Sequence, residues 1–306
     1  MRVAVTGATG RLGNALIAAL ADAPFTGLAG PIAWTRADLD LDTPAGVTVA
    51  LDRDRPEVVV HTAAWTDVDG CARDPELALQ RNGAATGVLA ASCATRGVDL
   101  VVVSTNEVFG GDRTDGRGYR ADDPIDPSNA YGRSKHAAET AAATEYARPG
   151  ARGRLGIART AWLYGPPGPD FPVKILAAAD RAEAAGEPLR AVDDEWGNPT
   201  YAADVADAIV ELLAEDAHAR IHHLVNGGVA SRAEWAVDVV ARMGVSIAVE
   251  GVPAATWSRA STPPRWGVLE PTPLPSGEPM RPWTAAMADY APILARARPR
   301  PAGGRR

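Results

Sequence analysis

The chain has 306 residues, of which 46% are hydrophobic and 23% charged, as expected of a globular protein with a sizeable core. Its net charge of −7 argues against a nucleic-acid partner, because phosphate backbones bind basic surfaces. The two cysteines, Cys71 and Cys93, lack the spacing of a zinc site, so the residues predict no metal and a reducing, cytoplasmic location. The chain opens on a strand pattern and contains no apolar run of about 18 residues, so we expect neither a secretory signal nor a membrane helix.

Short apolar strands alternate with helical patterns through the first two thirds of the chain. The predicted strands cover 3–5, 32–34, 58–61, 100–103 and 155–158, and the predicted helices cover 12–21, 77–94, 130–146, 171–185, 203–214 and 231–243. This alternation predicts an α/β fold with a Rossmann-type, doubly wound parallel sheet covered by helices on both faces. A smaller C-terminal α/β region is expected to bind the substrate.

The predicted organisation has two working parts and a tail. They are an NAD(P)-binding Rossmann domain over 1–165, to which about 190–225 returns, a mainly substrate-binding region over 166–295, and a disordered tail over 296–306. Segment 110–124 is rich in Gly, Asp and Arg and is predicted to be a mobile loop. The proline-rich segment 262–282 is expected to wrap the surface or close over a pocket.

A glycine-rich turn joins the first strand to the first helix. Glycine permits a positive φ and a close approach of the backbone to a pyrophosphate, and the helix N-terminus then directs free N–H groups at the anion. A purely structural glycine turn is the alternative. The turn predicts a nicotinamide dinucleotide held by Gly7, Thr9, Gly10, Arg11, Leu12 and Gly13.

Arg36 stands where an acidic residue would favour NAD(H) by binding the adenosine ribose. The arginine instead favours NADP(H), since it can pair with a 2′-phosphate. Alternatively, Arg36 is a solvated charge or stacks on the adenine without selecting a cofactor, and Asp40 is a turn or cap residue. The other candidates for lining the nucleotide are Asp40, Leu41, Ala63, Ala64 and Trp65.

Tyr131 and Lys135 are four residues apart in a predicted helix and therefore share one face. An ammonium close to a phenol favours the phenolate and lowers the tyrosine pKa. Such a tyrosine can give a proton to a carbonyl oxygen while a hydride reaches the carbon. A surface Tyr–Lys pair is the competing interpretation.

Thr105 ends the fourth predicted strand, and ligands of open parallel sheets bind at the carboxyl ends of strands. Thr105 is therefore placed to hydrogen-bond a substrate carbonyl beside Tyr131. The alternative is that Ser104 or Thr105 only caps a turn.

Four stretches of sequence together resemble the extended short-chain dehydrogenase/reductase superfamily and, within it, the dTDP-4-dehydrorhamnose reductase family. The likeness runs from residue 1 to about 290, with looser markers at Gly197-Asn198-Pro199-Thr200 and from Leu274 to Trp283. The four stretches are His61 to Asp69, Ser104 to Phe109, Pro127 to Lys135 and Arg159 to Gly165.

The resemblance implies a function and a set of roles. It implies reduction of the C4 ketone of a dTDP-linked 4-keto-6-deoxysugar with either nicotinamide cofactor. It also implies bound Mg²⁺ and a homodimer, which are frequent in the family. Thr105, Tyr131 and Lys135 would be the catalytic residues, and Trp162 would contact the sugar nucleotide. Tyr131 and Lys135 would also contact the cofactor.

The pair Asn106-Glu107 departs from the family, which usually has an aspartate followed by an aromatic residue there. Sugar-nucleotide dehydratases carry Asp-Glu instead, and an amide at position 106 cannot act as their acid. Asn106 and Glu107 are therefore expected to contact the substrate, although Glu107 could also be a solvated carboxylate. Two other functions stay open: a non-catalytic NADP-binding subunit like that of methionine adenosyltransferase, and a sugar-nucleotide epimerase.

Overall fold

A computed structural model describes residues 1–298 and is built around a six-stranded, wholly parallel sheet. The strands lie in the order β2-β1-β3-β4-β5-β10. The chain places β2 on one side of β1 and β3 on the other, so the strand order reverses between β1 and β3. Ligands of such sheets bind at that switch point, outside the carboxyl ends of the strands. The sheet strands are β1 (Val3–Thr6), β2 (Ile32–Trp34), β3 (Val58–His61), β4 (Asp99–Thr105), β5 (Leu155–Thr160) and β10 (Ile221–His223).

Helices cover both faces of the sheet, which confirms the predicted Rossmann-type α/β fold. Helices α1 and α8 cover one face of the sheet with apolar side chains that include Leu16, Leu20 and Ile209. Helices α2, α5 and α6 cover the other face. The helices are α1 (Arg11–Asp22), α2 (Val47–Asp54), α3 (Val68–Arg73), α4 (Pro75–Ala78), α5 (Ala85–Arg96), α6 (Ala130–Tyr146), α7 (Phe171–Ala185), α8 (Ala202–Ala214), α9 (Arg232–Arg242) and α10 (Trp283–Ala297).

A second hydrophobic core forms from the later part of the chain. Helices α7, α9 and α10 pack around Trp235 and Tyr290, beside four short two-residue strands and one parallel strand pair. The short strands are β6 (Leu163–Tyr164), β8 (Trp196–Gly197), β9 (Thr200–Tyr201) and β11 (Ala230–Ser231), and the pair is β7 (Leu189–Val192) with β12 (Val249–Val252). Within residues 1–298, no helix is both long enough and apolar enough to cross a bilayer.

The structure adds elements that the sequence patterns do not predict. Helix α2 contains Val47, Thr48 and Val49, whose β-branched side chains favour strands. Helix α10 contains Pro292 and runs to Ala297, into the segment predicted to be a disordered tail. Residues 299–306 of that tail lie outside the described range.

The predicted mobile loop 110–124 is instead held by packing. Tyr119 is buried, and its ring stacks on Phe109 with the ring centroids 4.5 Å apart. Its backbone N–H donates to the carbonyl of Val268 at 2.8 Å. The loop therefore joins β4 to the proline-rich segment 262–282, which lies against it.

Candidate functional site

One cleft of about 660 Å³ lies at the carboxyl ends of β1, β3, β4 and β5. It gathers every residue that the sequence places in the site. They are Gly7, Thr9, Gly10, Arg11, Leu12, Gly13, Arg36, Asp40, Leu41, Ala63, Ala64, Trp65, Thr105, Asn106, Glu107, Tyr131, Lys135 and Trp162. The cleft also takes in residues that sequence reasoning missed, above all Asp42, Arg81 and Arg232.

The glycine turn lets three backbone segments meet at one end of the cleft. Gly7 has a φ of +62°, and a Cβ there would lie 2.9 Å from the backbone of Ala63. A Cβ at Gly13 would lie 2.2 Å from the carbonyl oxygen of Gly7, so only glycine allows α1 to start this close to β1. Gly10 precedes the helix without a side-chain cap, which leaves N–H groups of the first turn facing the cleft.

Two buried hydroxyls show that the cleft accommodates a polar group. Ser104 and Thr160, at the ends of β4 and β5, are 3% and 8% exposed and line the cleft. Neither side-chain oxygen has a hydrogen-bond partner within residues 1–298. Together with the glycine turn, these donors fit the amide, hydroxyl and phosphate groups of a dinucleotide.

Arg36 is not a free cation at the adenosine end. Its guanidinium lies 3.3 Å from Asp40 and 3.0 Å from Asp42, and it remains 76% exposed. Arg81 binds the same Asp42 at 2.5 and 2.9 Å and lies over the Trp65 ring at 5.3 Å. A hydrogen bond from the Asp42 backbone and the Arg36 guanidinium lower the pKa of Asp40, while Arg81 lowers that of Asp42. Asp40 therefore both closes a turn and pairs with Arg36.

The predicted catalytic residues come together where α6 begins beside the end of β4. Asn129 caps α6 by accepting a hydrogen bond from the Gly132 N–H at 2.8 Å. Thr105 and Tyr131 line the same cleft, and Lys135 follows one turn later, 3% exposed. Thr105 also accepts from the Glu107 N–H at 3.2 Å, so it caps the turn as well as facing the cleft.

Burial governs the protonation of this group. Burial raises the pKa of Tyr131, and the Glu107 carboxylate raises it further, while the Thr105 side chain lowers it. Burial lowers the pKa of Lys135 to about 8, against the opposing charge of Glu139. The expectation that Lys135 lowers the pKa of Tyr131 is therefore wrong for this arrangement, and Tyr131 holds its proton.

Asn106 is buried and fully engaged. Its Nδ2 donates to the carbonyl of Gly267 at 2.9 Å, and its Oδ1 accepts from the Thr105 hydroxyl at 3.3 Å. A carboxylate could not make the first bond, because it has no proton to donate. The amide at this position thus ties the end of β4 to the proline-rich segment.

Glu107 is not a solvated loop carboxylate. Its Oε2 accepts from the Asn129 side chain at 2.6 Å, and burial raises its pKa. The charges of Arg232 and Arg259 oppose that rise. Glu107 therefore belongs to a charged cluster in the wall of the cleft.

Trp162 forms the far end of the cleft and has a φ of 43°. A Cβ at Gly197 would lie 2.6 Å from its ring, so the glycine gives the indole its place. The ring lies between Trp235, at 6.0 Å and nearly parallel, and the guanidinium of Arg232, at 3.6 Å. The sequence offers no local signal for Arg232, because the contact joins positions 70 residues apart in the chain.

Comparison with known proteins places this chain in a described family. The family model described as "RmlD substrate binding domain" matches residues 1–295. A dTDP-4-dehydrorhamnose reductase of Streptomyces griseus is 36% identical, over 99% of this chain and 97% of its own length. A dTDP-4-keto-6-deoxy-D-glucose reductase of Streptomyces niveus is also 36% identical, over 95% and 96%. The crystal structure of a dTDP-4-dehydrorhamnose reductase from Bacillus anthracis in complex with NADP superposes with a TM-score of 0.83, 27% identity and coverage of 94% and 98%.

Proposed function

Since the chain belongs to the RmlD substrate binding domain family, we propose that it reduces the C4 ketone of a dTDP-linked 4-keto-6-deoxysugar with a nicotinamide cofactor. The names of its two Streptomyces relatives give the class of substrate, and the NADP in the Bacillus anthracis structure gives the class of cofactor. The chain would act as an oxidoreductase of deoxysugar biosynthesis.

One observation carries the proposal: Thr105, Tyr131 and Lys135 line the same cleft as the glycine turn. A protein that only binds the cofactor has no need of a buried Tyr–Lys pair beside it. Buried ionisable groups of this kind cluster at catalytic sites.

Tyr131 is placed to act as the acid of this reaction. Its phenol is protonated at neutral pH and can donate to a ketone oxygen bound in the cleft, although burial, which raises its pKa, works against proton release. Thr105 supplies a second hydroxyl in the same cleft, and Lys135, one helical turn after Tyr131, would replace the proton that Tyr131 gives up. When bound, the reduced nicotinamide supplies the hydride to the C4 carbon.

NADP(H) remains the favoured cofactor in this proposal, with NAD(H) as an alternative. Two guanidinium groups, Arg36 and Arg81, line the adenosine end and can attract a 2′-phosphate. Asp40 and Asp42 already neutralise them, so the preference for NADP(H) is expected to be modest.

The test is to follow NADPH and NADH oxidation with a panel of dTDP-4-keto-6-deoxysugars. Tyr131→Phe should lower kcat by about 10²- to 10⁴-fold, the range for loss of a general acid, and leave cofactor binding intact. Tyr146→Phe is the matched control, because that phenol binds the Val98 carbonyl outside the cleft. Wild-type turnover by Tyr131→Phe would overturn the proposal.

Other outcomes of the same assay would identify the competing functions. Tightly held NAD with no net cofactor consumption would indicate an epimerase. Cofactor binding without turnover, with capture of a synthetase partner, would indicate a regulatory subunit. Mg²⁺, a homodimer, the lack of a nucleic-acid partner and the cytoplasmic location remain predictions from the sequence.

A further inference from the structure

A charged group at the substrate end of the cleft has no part in the chemistry described above. Arg232 is the first residue of α9, and its guanidinium lies 3.6 Å from the centre of the Trp162 ring and 5.3 Å from that of Phe171. The guanidinium lines the same cleft as Tyr131 and Lys135. Stacking on Trp162 restricts the plane of the guanidinium, whose N–H groups lie at its edge.

Arg232 has no hydrogen-bonded partner within residues 1–298. The closest carboxylate oxygen, Oε2 of Glu195, is 3.9 Å from its Nε, which is beyond hydrogen-bond distance. The other deeply placed arginine, Arg159, contrasts with it, since Arg159 binds both oxygens of Glu139 at 3.0 and 2.8 Å. Glu195 thus offsets the charge of Arg232 without occupying its donors.

The position of Arg232 is unfavourable for folding on two counts. Burial lowers its pKa to about 10, although 24% of its side chain stays exposed. It also lies in the first turn of α9, where the helix dipole disfavours a cation. A cation held against both effects, with free donors facing a cleft, is expected to serve a ligand.

The helix itself adds a preference for negative charge. The dipole of α9, which has 11 residues, presents its positive end at this point of the cleft. Its capping box is closed, because Ser231 and Glu234 satisfy each other's backbone N–H groups. The box leaves the backbone N–H groups of Arg232 and Ala233 without a partner within residues 1–298, so these groups and the Arg232 side chain can all donate to an anion here.

We propose that Arg232 binds the diphosphate of the nucleotide-sugar substrate, with Trp162 holding the guanidinium in position. The inference rests on the proposed function for the identity of the substrate. A diphosphate is the anionic part of such a substrate, and the planar guanidinium can give it two parallel N–H···O bonds. Arg259 is close enough to repel Arg232 but pairs with Asp69 at 3.7 Å, and the carboxylates of Glu195 and Glu107 partly offset the charge of Arg232.

Binding of dTDP, thymidine and NADPH by calorimetry tests this without requiring turnover. Arg232→Gln should weaken dTDP binding about 10- to 100-fold, as for loss of charged hydrogen bonds, and change thymidine and NADPH binding less than about 3-fold. Arg232→Lys keeps the positive charge but loses the planar guanidinium with its paired N–H groups. Its affinity for dTDP should lie between those of the wild type and Arg232→Gln. Arg242→Gln is the matched control, because that arginine is on the same helix and pairs with Asp238 and the Thr284 carbonyl.

Three results would overturn the proposal: dTDP binding unchanged in Arg232→Gln, thymidine weakened as much as dTDP, or no dTDP binding by the wild type. Inorganic pyrophosphate should compete with dTDP in the wild type, and this measurement holds even if Arg232→Gln folds poorly. Arg232-dependent dTDP binding without keto-sugar reduction would refute the reductase function and leave the anion site standing.

Discussion

Gly132 packs against the backbone of Glu107 so closely that a Cβ would lie 2.0 Å from the Glu107 carbonyl oxygen. The start of α6 and the turn after β4 are therefore in direct backbone contact. This contact sets the spacing between Thr105 on one element and Tyr131 on the other.

Gly132→Ala should separate these two elements. We expect a loss of about 1–3 kcal/mol in the free energy of unfolding, as for overpacked cores, and a fall in kcat larger than the change in cofactor affinity. Urea denaturation and single-substrate kinetics measure the two effects. Gly46→Ala is the control, since its φ is −62° and a Cβ there meets no atom within 4 Å. Equal behaviour of both variants would contradict the prediction.

The activity should depend on the protonation of Lys135. Because the pKa of Lys135 is lowered to about 8, its ammonium loses the proton as the pH rises through that value. We expect kcat/KM for the keto-sugar to fall above about pH 8, where Lys135 can no longer resupply Tyr131. A profile that stays flat to pH 10 would show that the ammonium is not needed.

Glu139 should help to set the pH at which kcat/KM falls on the alkaline side. Its carboxylate raises the pKa of Lys135 and binds Arg159 in the buried interior. Glu139→Gln should therefore move the alkaline fall in kcat/KM to lower pH, and leaving Arg159 unpaired should cost about 3–5 kcal/mol of stability. Glu145→Gln, on the same helix and paired with Arg148, should shift neither. A purely structural role for Glu139 predicts lower stability with an unmoved pH profile.

Asn106→Asp should damage the site and not create a dehydratase. The new carboxylate would face the Gly267 carbonyl without a proton to share, at a cost of about 1–3 kcal/mol. The expected results are a lower melting temperature, weaker keto-sugar reduction and no elimination of water from dTDP-glucose. An unchanged melting temperature would show that the bond to Gly267 contributes nothing.

The cofactor preference should respond to Asp42. Asp42→Asn removes the carboxylate that Arg36 and Arg81 share, although Arg36 keeps its pair with Asp40. The change should raise the ratio of kcat/KM for NADPH over NADH about 5-fold, or ~1 kcal/mol. Asp52→Asn is the control, because that carboxylate pairs with Arg96 outside the cleft. A ratio that falls would show that the arginines do not contact a 2′-phosphate.

The parts of the fold that the sequence predicts are those whose signal is local. The glycine turn and the Tyr131–Lys135 spacing each lie within a few residues, and helix α6 is predicted with its observed bounds. Helix α10 escapes prediction because Pro292 argues against a helix and its stability comes from packing in the second core.

The substrate end of the site could not be predicted from local patterns. Arg232 meets Trp162, and Asn106 meets Gly267, across 70 and 161 positions of the chain. Similarly, Arg81 and Arg36 share the carboxylate of Asp42, so Arg36 is not a free cation. No residue next to Arg36 in the sequence indicates this. Such contacts depend on the arrangement of whole elements, so they follow from the fold and not from motifs.

In a cleft that binds a sugar nucleotide as proposed, the missing side chain at Gly197 helps to set the size of sugar that fits. Any larger residue there would collide with the indole of Trp162 and displace it together with the stacked Arg232. The width of the proposed sugar pocket and the position of the Arg232 guanidinium are thus coupled through the Trp162 ring. Variation at position 197 would alter which sugars are accepted while leaving the nucleotide-binding turn, built from the other end of the chain, untouched.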